Sequence, residues 1–251
     1  MRREGWILDL ETVPEDLKAG EAIRLPEAYR LPFVEPKART LPRNYKAGSE
    51  AAQRWHKAEA ERLEALQRTA LAEHEAACLD AYLRTALHPR KCRIVAWALA
   101  PLHGGDVLSA SGEEECLLLD ELAQFWPVAG SKILAWNGPG FDFRVLWARS
   151  LFLGVVSPLM PVCTNGRLYW SSSTMLDLMA FAPEARPRAS LRACAAAWGV
   201  PVVTAPGSEV AQLFSAGRLE EIEEHCREDV IVSQALAHCF GVPELIGVDC
   251  D

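Results

Sequence analysis

Two carboxylates, Asp9 and Glu11, interrupt the apolar run Trp6-Ile7-Leu8-Asp9-Leu10-Glu11-Thr12-Val13. Side chains on a strand alternate between its two faces, so residues two apart point the same way. Asp9, Glu11 and Ile7 then share one face, and Trp6, Leu8 and Leu10 cover the other. A strand this apolar reads as central and buried. Two buried carboxylates without partners would cost several kcal/mol each. A Lys or Arg could offset that cost. A divalent cation such as Mg²⁺ or Mn²⁺ does so best, because these ions take hard oxygen ligands. The competing reading is an edge strand with two solvated acids.

Further candidates lie far along the chain. Asn137-Gly138-Pro139-Gly140-Phe141-Asp142 follows a predicted strand and opens a helix, and in α/β sheets the carboxyl end of a strand is where ligands bind. Asp142 can equally be an acid favoured in a helix's first turn by the dipole. His225 and Asp229 are four apart on a predicted helix and share a face. Ile222, Cys226, Val230 and Ser233 sit near them, so that face is at least partly buried. Alone, such a pair also fits an ordinary surface contact.

The elements that must position these groups can be read in order. After the first strand, prolines at 14, 26, 32, 36 and 42 prevent long regular structure. Between 24 and 46, Arg24, Arg30, Lys37, Arg39, Arg43 and Lys46 outnumber Glu27 and Glu35. This segment reads as a basic flap for a phosphate backbone or as a solvated loop. Residues 49–87 predict one or two long helices with Ser49 as N-cap and a loose stripe of Leu63, Leu66, Ala70, Leu71, Ala77 and Leu83. Residues 93–99 predict a second strand, Gly104-Gly105 a turn, and 106–109 a third strand, which together form a hairpin. Ser111 is expected to cap a helix over 112–126. A fourth strand is expected at 132–136, a helix from the following turn to 153, and a fifth strand at 175–179. Helices are expected at 190–199, through 214, and over 219–240.

The 251 residues carry 34 acids against 26 Lys and Arg, a net charge of −8, which argues against a passive basic coat on nucleic acid. It leaves room for a nucleic-acid enzyme whose acids gather around metal ions. No apolar run reaches 18 residues, so no membrane helix is expected. The N-terminus enters the first strand directly, with no signal peptide expected. The eight cysteines form no Cys-x-x-Cys. They point to a reducing cytoplasm rather than a disulfide or zinc framework.

Three antiparallel strands followed by alternating helices and strands is the order of a ribonuclease H-like α/β sheet, which brings Asp9, Glu11, Asp142 and Asp229 together. The segments Asp9-Leu10-Glu11-Thr12, Asn137-Gly138-x-x-Phe141-Asp142 and His225-x-x-x-Asp229 resemble the three motifs of the DEDD, or DnaQ-like, 3′–5′ exonucleases. The nearer resemblance is to stand-alone bacterial and phage proteins similar to the exonuclease domain of family-B DNA polymerases. It extends to Val13-Pro14, Pro42-x-Asn44-Tyr45-Lys46, His88-Pro89 and Gly207-Ser208-Glu209-Val210. It implies one exonuclease domain over 1–251, a five-stranded mixed sheet flanked by helices, and a helical insertion at about 15–90. The subclass with this final spacing usually carries Tyr where His225 stands, and the subclass with His has a longer spacing.

The resemblance further implies two Mg²⁺ or Mn²⁺ ions held by Asp9, Glu11, Asp142 and Asp229, with His225 orienting or deprotonating the attacking water. Thr12 and Asn137 would contact the terminal nucleotide. Phe141 would stack on or wedge a base, or belong to the core. The implied substrate is single-stranded nucleic acid, DNA in preference to RNA, releasing nucleoside 5′-monophosphates without a nucleotide cofactor. Two alternatives stand beside this: an exoribonuclease on short RNA, and a catalytically weakened nucleic-acid-binding module.

Overall fold

A computed structural model describes residues 4–43, 46–128, 130–157, 162–164, 167–169, 174–182, 190–202 and 207–247. Asn44 and Tyr45, part of the quoted resemblance, and Cys250 lie outside the described residues, as do the side chains of Cys163 and Ser208. The chain divides into two compact units, one of Met1–Ile23 with Thr85–Asp251 and one of Arg24–Arg84.

The larger unit begins with β1 (Gly5–Pro14). The smaller unit holds α1 (Glu50–Leu83). The larger unit resumes with β2 (Cys92–Pro101), β3 (Leu108–Ser111), α2 (Glu115–Phe125), β4 (Lys132–Ala135) and α3 (Asp142–Leu153). Then follow β5 (Val162–Thr164), β6 (Arg167–Tyr169), β7 (Met175–Asp177), α4 (Leu191–Ala197), α5 (Val210–Ser215), α6 (Leu219–Cys239) and α7 (Val242–Ile246). The main sheet has five strands in the order β3-β2-β1-β4-β7, and β5 and β6 form a separate ribbon. β1 pairs antiparallel with β2 and parallel with β4, β2 pairs antiparallel with β3, and β4 pairs parallel with β7. This is a ribonuclease H-like mixed sheet, as expected.

β1 is therefore a central strand, and the edge-strand reading of Asp9 and Glu11 falls. On one side Leu8, Leu10, Ile94, Trp97 and Leu99 pack with Leu118, Leu119 and Leu122 of α2 and with Phe143, Val145 and Leu146 of α3. On the other side α5 and α6 close over β1. α6 also lies along β2 and β3. Polar clamps hold it there: Ser109 Oγ and Ser111 Oγ donate to Glu223 at 2.7 and 2.9 Å, and Arg227 Nη1 donates to the Val107 carbonyl at 2.8 Å.

These clamps correct one expectation. Ser111 ends β3 and gives its hydroxyl to Glu223, so it does not cap α2, which begins at Glu115 behind Glu114 with no side-chain cap. The third strand also runs two residues later than expected. Gly104 and Gly105 both take positive φ, +93° and +129°, and Leu108 becomes the partner of Leu99.

In the smaller unit Ser49 caps α1 as expected, accepting from the Ala52 N–H at 3.2 Å. The apolar stripe does not hold. Leu66 and Leu71 are exposed, while Ala52, Glu59, Cys78 and Tyr82 are buried. What covers that face is irregular chain with polar needs: Arg39 N–H donates to Glu59 Oε1 at 2.8 Å, and the Tyr29 ring lies tilted against Tyr82 with centroids 5.4 Å apart. The six cations between 24 and 46 are all exposed.

Candidate active site

The site is built from the interior of β1, the turn between β4 and α3, and the interior of α6. β1 supplies Asp9 and Glu11, and its register against β2 shifts between Glu11 and Thr12. A bulge of this kind re-aims the side chains beside it. Thr12 Oγ1 donates to the Ala86 carbonyl at 2.7 Å, which ties the turn before β2 to the bulge. β4 ends at Ala135, and Asn137 takes the left-handed conformation, φ +59°, which Asn tolerates better than most residues. A Cβ on Gly140 would lie 2.2 Å from Asn137 Oδ1, so the Asn137 side chain keeps its place here because position 140 is glycine. The turn delivers Asp142 to the first residue of α3, where it is buried.

α6 brings the rest. His225 Nε2 lies 3.6 Å from Glu11 Oε1, and His225 Nδ1 lies 3.7 Å from Asp229 Oδ1. One ligand atom from each of Glu11, His225 and Asp229 falls within 4.8 Å of the others. The neighbouring thiol, Cys226 Sγ, donates to Asp9 Oδ2 at 3.2 Å and to the Asp9 carbonyl at 3.4 Å. The five groups singled out in sequence thus converge, with Glu11, His225 and Asp229 forming the tightest subset.

Burial dominates the electrostatics. It raises Asp9 well above the usual carboxylate range, and repulsion from Asp229 and Asp142 raises it further. Burial likewise raises Glu11, with Asp9, Asp229 and Asp142 adding to it. Asp142 is pushed up to about 8, chiefly by burial, although backbone hydrogen bonds from its own N–H and from Leu10 oppose this. Burial lifts Asp229 too, against the attraction of His225 and Arg192. Burial and the adjoining carboxylates Asp9 and Glu11 keep the Cys226 thiol protonated and able to donate.

Both ring nitrogens of His225 and Oδ1 of Asp229 are buried without a hydrogen-bond partner. Orphaned buried polar atoms are costly. Here they sit beside carboxylates that repel one another, and the donor set of carboxylate oxygens with one imidazole suits a divalent cation. The residues present fit such an ion.

A measurable consequence follows for the metal-free protein. Carboxylates whose folded pKa is raised bind more protons folded than unfolded, so stability falls as pH rises. The window runs from the unfolded carboxylate value near 4 up to about 8 for Asp142. Urea unfolding in EDTA is expected to show lower stability at pH 8 than at pH 5.5, and saturating Mn²⁺ to shrink the difference. A pH-independent stability in EDTA would contradict the cluster.

Other expected residues are placed as follows. Phe141 is half-buried and packs against the core of the β1–α3 layer, yet also lines a surface depression with Asn137, so both its readings keep an observation. The Thr12 hydroxyl is committed to Ala86. Asp177 was not singled out in sequence. Its Oδ1 accepts the Asn137 and Met179 N–H groups at 2.9 and 3.0 Å, and its charge adds to the pressure on Asp142. The available signal was the one that marked Asp9, an acid ending the apolar strand Met175-Leu176-Asp177.

Among solved structures, the chain is similar to the family B DNA polymerase from the hyperthermophilic archaeon Pyrobaculum calidifontis. Identity is 22% and TM-score 0.49, over 63% of this chain and 23% of that one. The chain therefore spans less than a quarter of that polymerase's length. Among curated proteins none matches. A family model described as a predicted 3′–5′ exonuclease related to the exonuclease domain of PolB matches residues 80–236. The match takes in Asp142, His225 and Asp229. Asp9 and Glu11 lie before it and join the site through the fold. With more than half of its length matched, the chain belongs to the family of predicted 3′–5′ exonucleases related to the exonuclease domain of PolB.

Proposed function

We propose that this chain is a divalent-metal-dependent 3′–5′ exonuclease that removes nucleoside 5′-monophosphates from single-stranded DNA. The whole of 1–251 is read as one exonuclease domain interrupted by an insertion. The observation that carries the proposal is the convergence of Asp9, Glu11, Asp142 and Asp229, from a central strand, a helix start and a late helix, around His225. Asp9, Glu11, Asp142 and Asp229 would hold two Mg²⁺ or Mn²⁺ ions. Such ions supply a water of lowered pKa and charge stabilisation at the leaving 3′-oxygen.

The chain's own residues do the rest. Cys226 fixes one oxygen of Asp9. Asp177 fixes the turn that carries Asn137 toward the terminal nucleotide, and Phe141 offers a ring edge to its base. His225 lies between Glu11 and Asp229, where it would orient or deprotonate the attacking water.

Incubating 3′- and 5′-labelled DNA and RNA of one sequence with Mg²⁺, Mn²⁺ or EDTA tests the proposal. The expected result is metal-dependent shortening of DNA from its 3′ end. Faster shortening of RNA would make the enzyme an exoribonuclease with the same site. Binding without shortening would leave a nucleic-acid-binding module. His225→Ala is expected to lower the rate roughly 100-fold, the low end for loss of a general base. His225→Tyr is also expected to lower it. The imidazole is fully enclosed and touches both acids, so a larger ring must displace them. An unchanged rate in His225→Ala would remove the histidine from the chemistry.

A further inference from the structure

The depression that Asn137 and Phe141 line is not alone. It holds about 450 Å³ and is also lined by Leu87, Trp136, Gly140 and Met179. A second depression of about 520 Å³ shares Leu87 and Gly140 with it and continues over His88, Arg90, Arg144 and Trp147. None of the clustered carboxylates, nor His225, lines this second space. Each volume lies within the range of small-ligand sites.

Its walls have a definite construction. Gly140, Arg144, Trp147 and Ala148 follow one another at spacings of four, three and one, so they line one side of the start of α3, while Asp142 lies on the buried side. The turn before β2 supplies the rest of the lining. That turn is well braced: His88 N–H donates to the Thr85 carbonyl, Lys91 N–H to the His88 carbonyl and Arg90 N–H to His88 Nδ1, at 2.9, 2.8 and 3.2 Å. Thr12 anchors it to the bulge beside Glu11.

Arg90 and Arg144 are both exposed, and among the described residues neither guanidinium has an acidic or hydrogen-bonding partner. Two unpaired arginines lining one depression stand out on a chain of net charge −8. The half-buried Trp147 lines the same depression. Guanidinium groups bind phosphate through paired N–H donors, and indole faces stack on bases of any sequence.

Resting on the nuclease reading for its location, we propose that this second depression is a subsite for a further nucleotide of the same single strand. Arg90 and Arg144 hold its backbone phosphate, and Trp147 takes its base. The subsite is sequence-tolerant and makes affinity grow with strand length beyond the nucleotide at the carboxylates.

Fluorescence anisotropy with 5′-labelled oligo-dT of two and five nucleotides in Ca²⁺ tests it. Arg90→Ala with Arg144→Ala is expected to weaken the pentamer about 30-fold and to erase its advantage over the dimer. The slope of log Kd against log salt should flatten by about 0.7, the value for one phosphate neutralised on a single strand. Trp147→Ala should cost about tenfold, and Trp147→Phe should keep most of the affinity, because a ring face remains. Unchanged pentamer affinity and salt slope in the double variant would overturn the subsite, even in an enzyme that shortens DNA normally. Length-dependent binding that both arginines support, in a chain that cleaves nothing, would uphold the subsite and overturn the nuclease reading instead.

Discussion

Replacing Asp9 by Asn is expected to abolish 3′-end shortening and, in the same protein, to stabilise the metal-free fold. Both effects have one cause. Asp9 is half-buried beside Asp229 and Asp142; burial raises all three, and Asp229 and Asp142 raise Asp9 further. An amide of the same shape removes one charge from that cluster and can still accept the Cys226 thiol. Urea unfolding in EDTA at pH 8 should therefore show Asp9→Asn more stable than the parent. Activity should move the other way. Charge stabilisation by a bound cation contributes several kcal/mol to phosphoryl chemistry, so its loss lowers the rate roughly 10³-fold or more. The protection that Mn²⁺ gives against unfolding should shrink with it. Residual activity within tenfold of the parent would mean that Asp9 holds no essential ion. A metal-free variant less stable than the parent would mean that the carboxylates are not in conflict.

The second large effect lies outside the site but acts on its frame. Arg149 of α3 is buried and makes a paired contact with Glu115 of α2, Nε to Oε1 at 2.9 Å and Nη2 to Oε2 at 2.6 Å. It also donates to Glu15 Oε1 at 3.1 Å, just past β1. Glu115 Oε1 further accepts the Ile94 N–H of β2 at 2.8 Å. One guanidinium thus joins two helices to two strands. Arg149→Ala leaves Glu115 as a buried charge without its cation, an outcome that costs about 3–5 kcal/mol. Thermal unfolding is expected to fall by about 10 °C, at about 2–4 °C per kcal/mol for a protein of this size. Because α3 also carries Asp142, DNA shortening at a temperature well below unfolding should fall too, by less than in Asp9→Asn. A loss under 1 kcal/mol would show that the network is relaxed by water.

Much of this molecule was legible before folding. The apolar run around Asp9 and Glu11 could only be a buried strand if something answered its charges, and it proved central. Strand and helix periodicities placed β2, β4, α3, α4 and α6 within a few residues. The α1 stripe was misread because Leu66 and Leu71 look like core in a list. The segment that covers the helix brings backbone N–H groups, and those need Glu59 and Cys78 as acceptors. The start of α2 was misread because a serine before a helix resembles a cap, yet a carboxylate from distant α6 claimed Ser111 first.

What the sequence alone determined was the list of groups, since residue type and local period decide which carboxylates share a strand face and which residues share a helix face. Their meeting was decided only in three dimensions. Glu223 and Arg227 clamp α6 onto β3, and a bulge turns Glu11 toward His225. Arg90 and Arg144, more than fifty positions apart, come to line one depression with Trp147. Contacts between residues so far apart along the chain depend on strand order and on how helices seat against the sheet, and no local pattern records either.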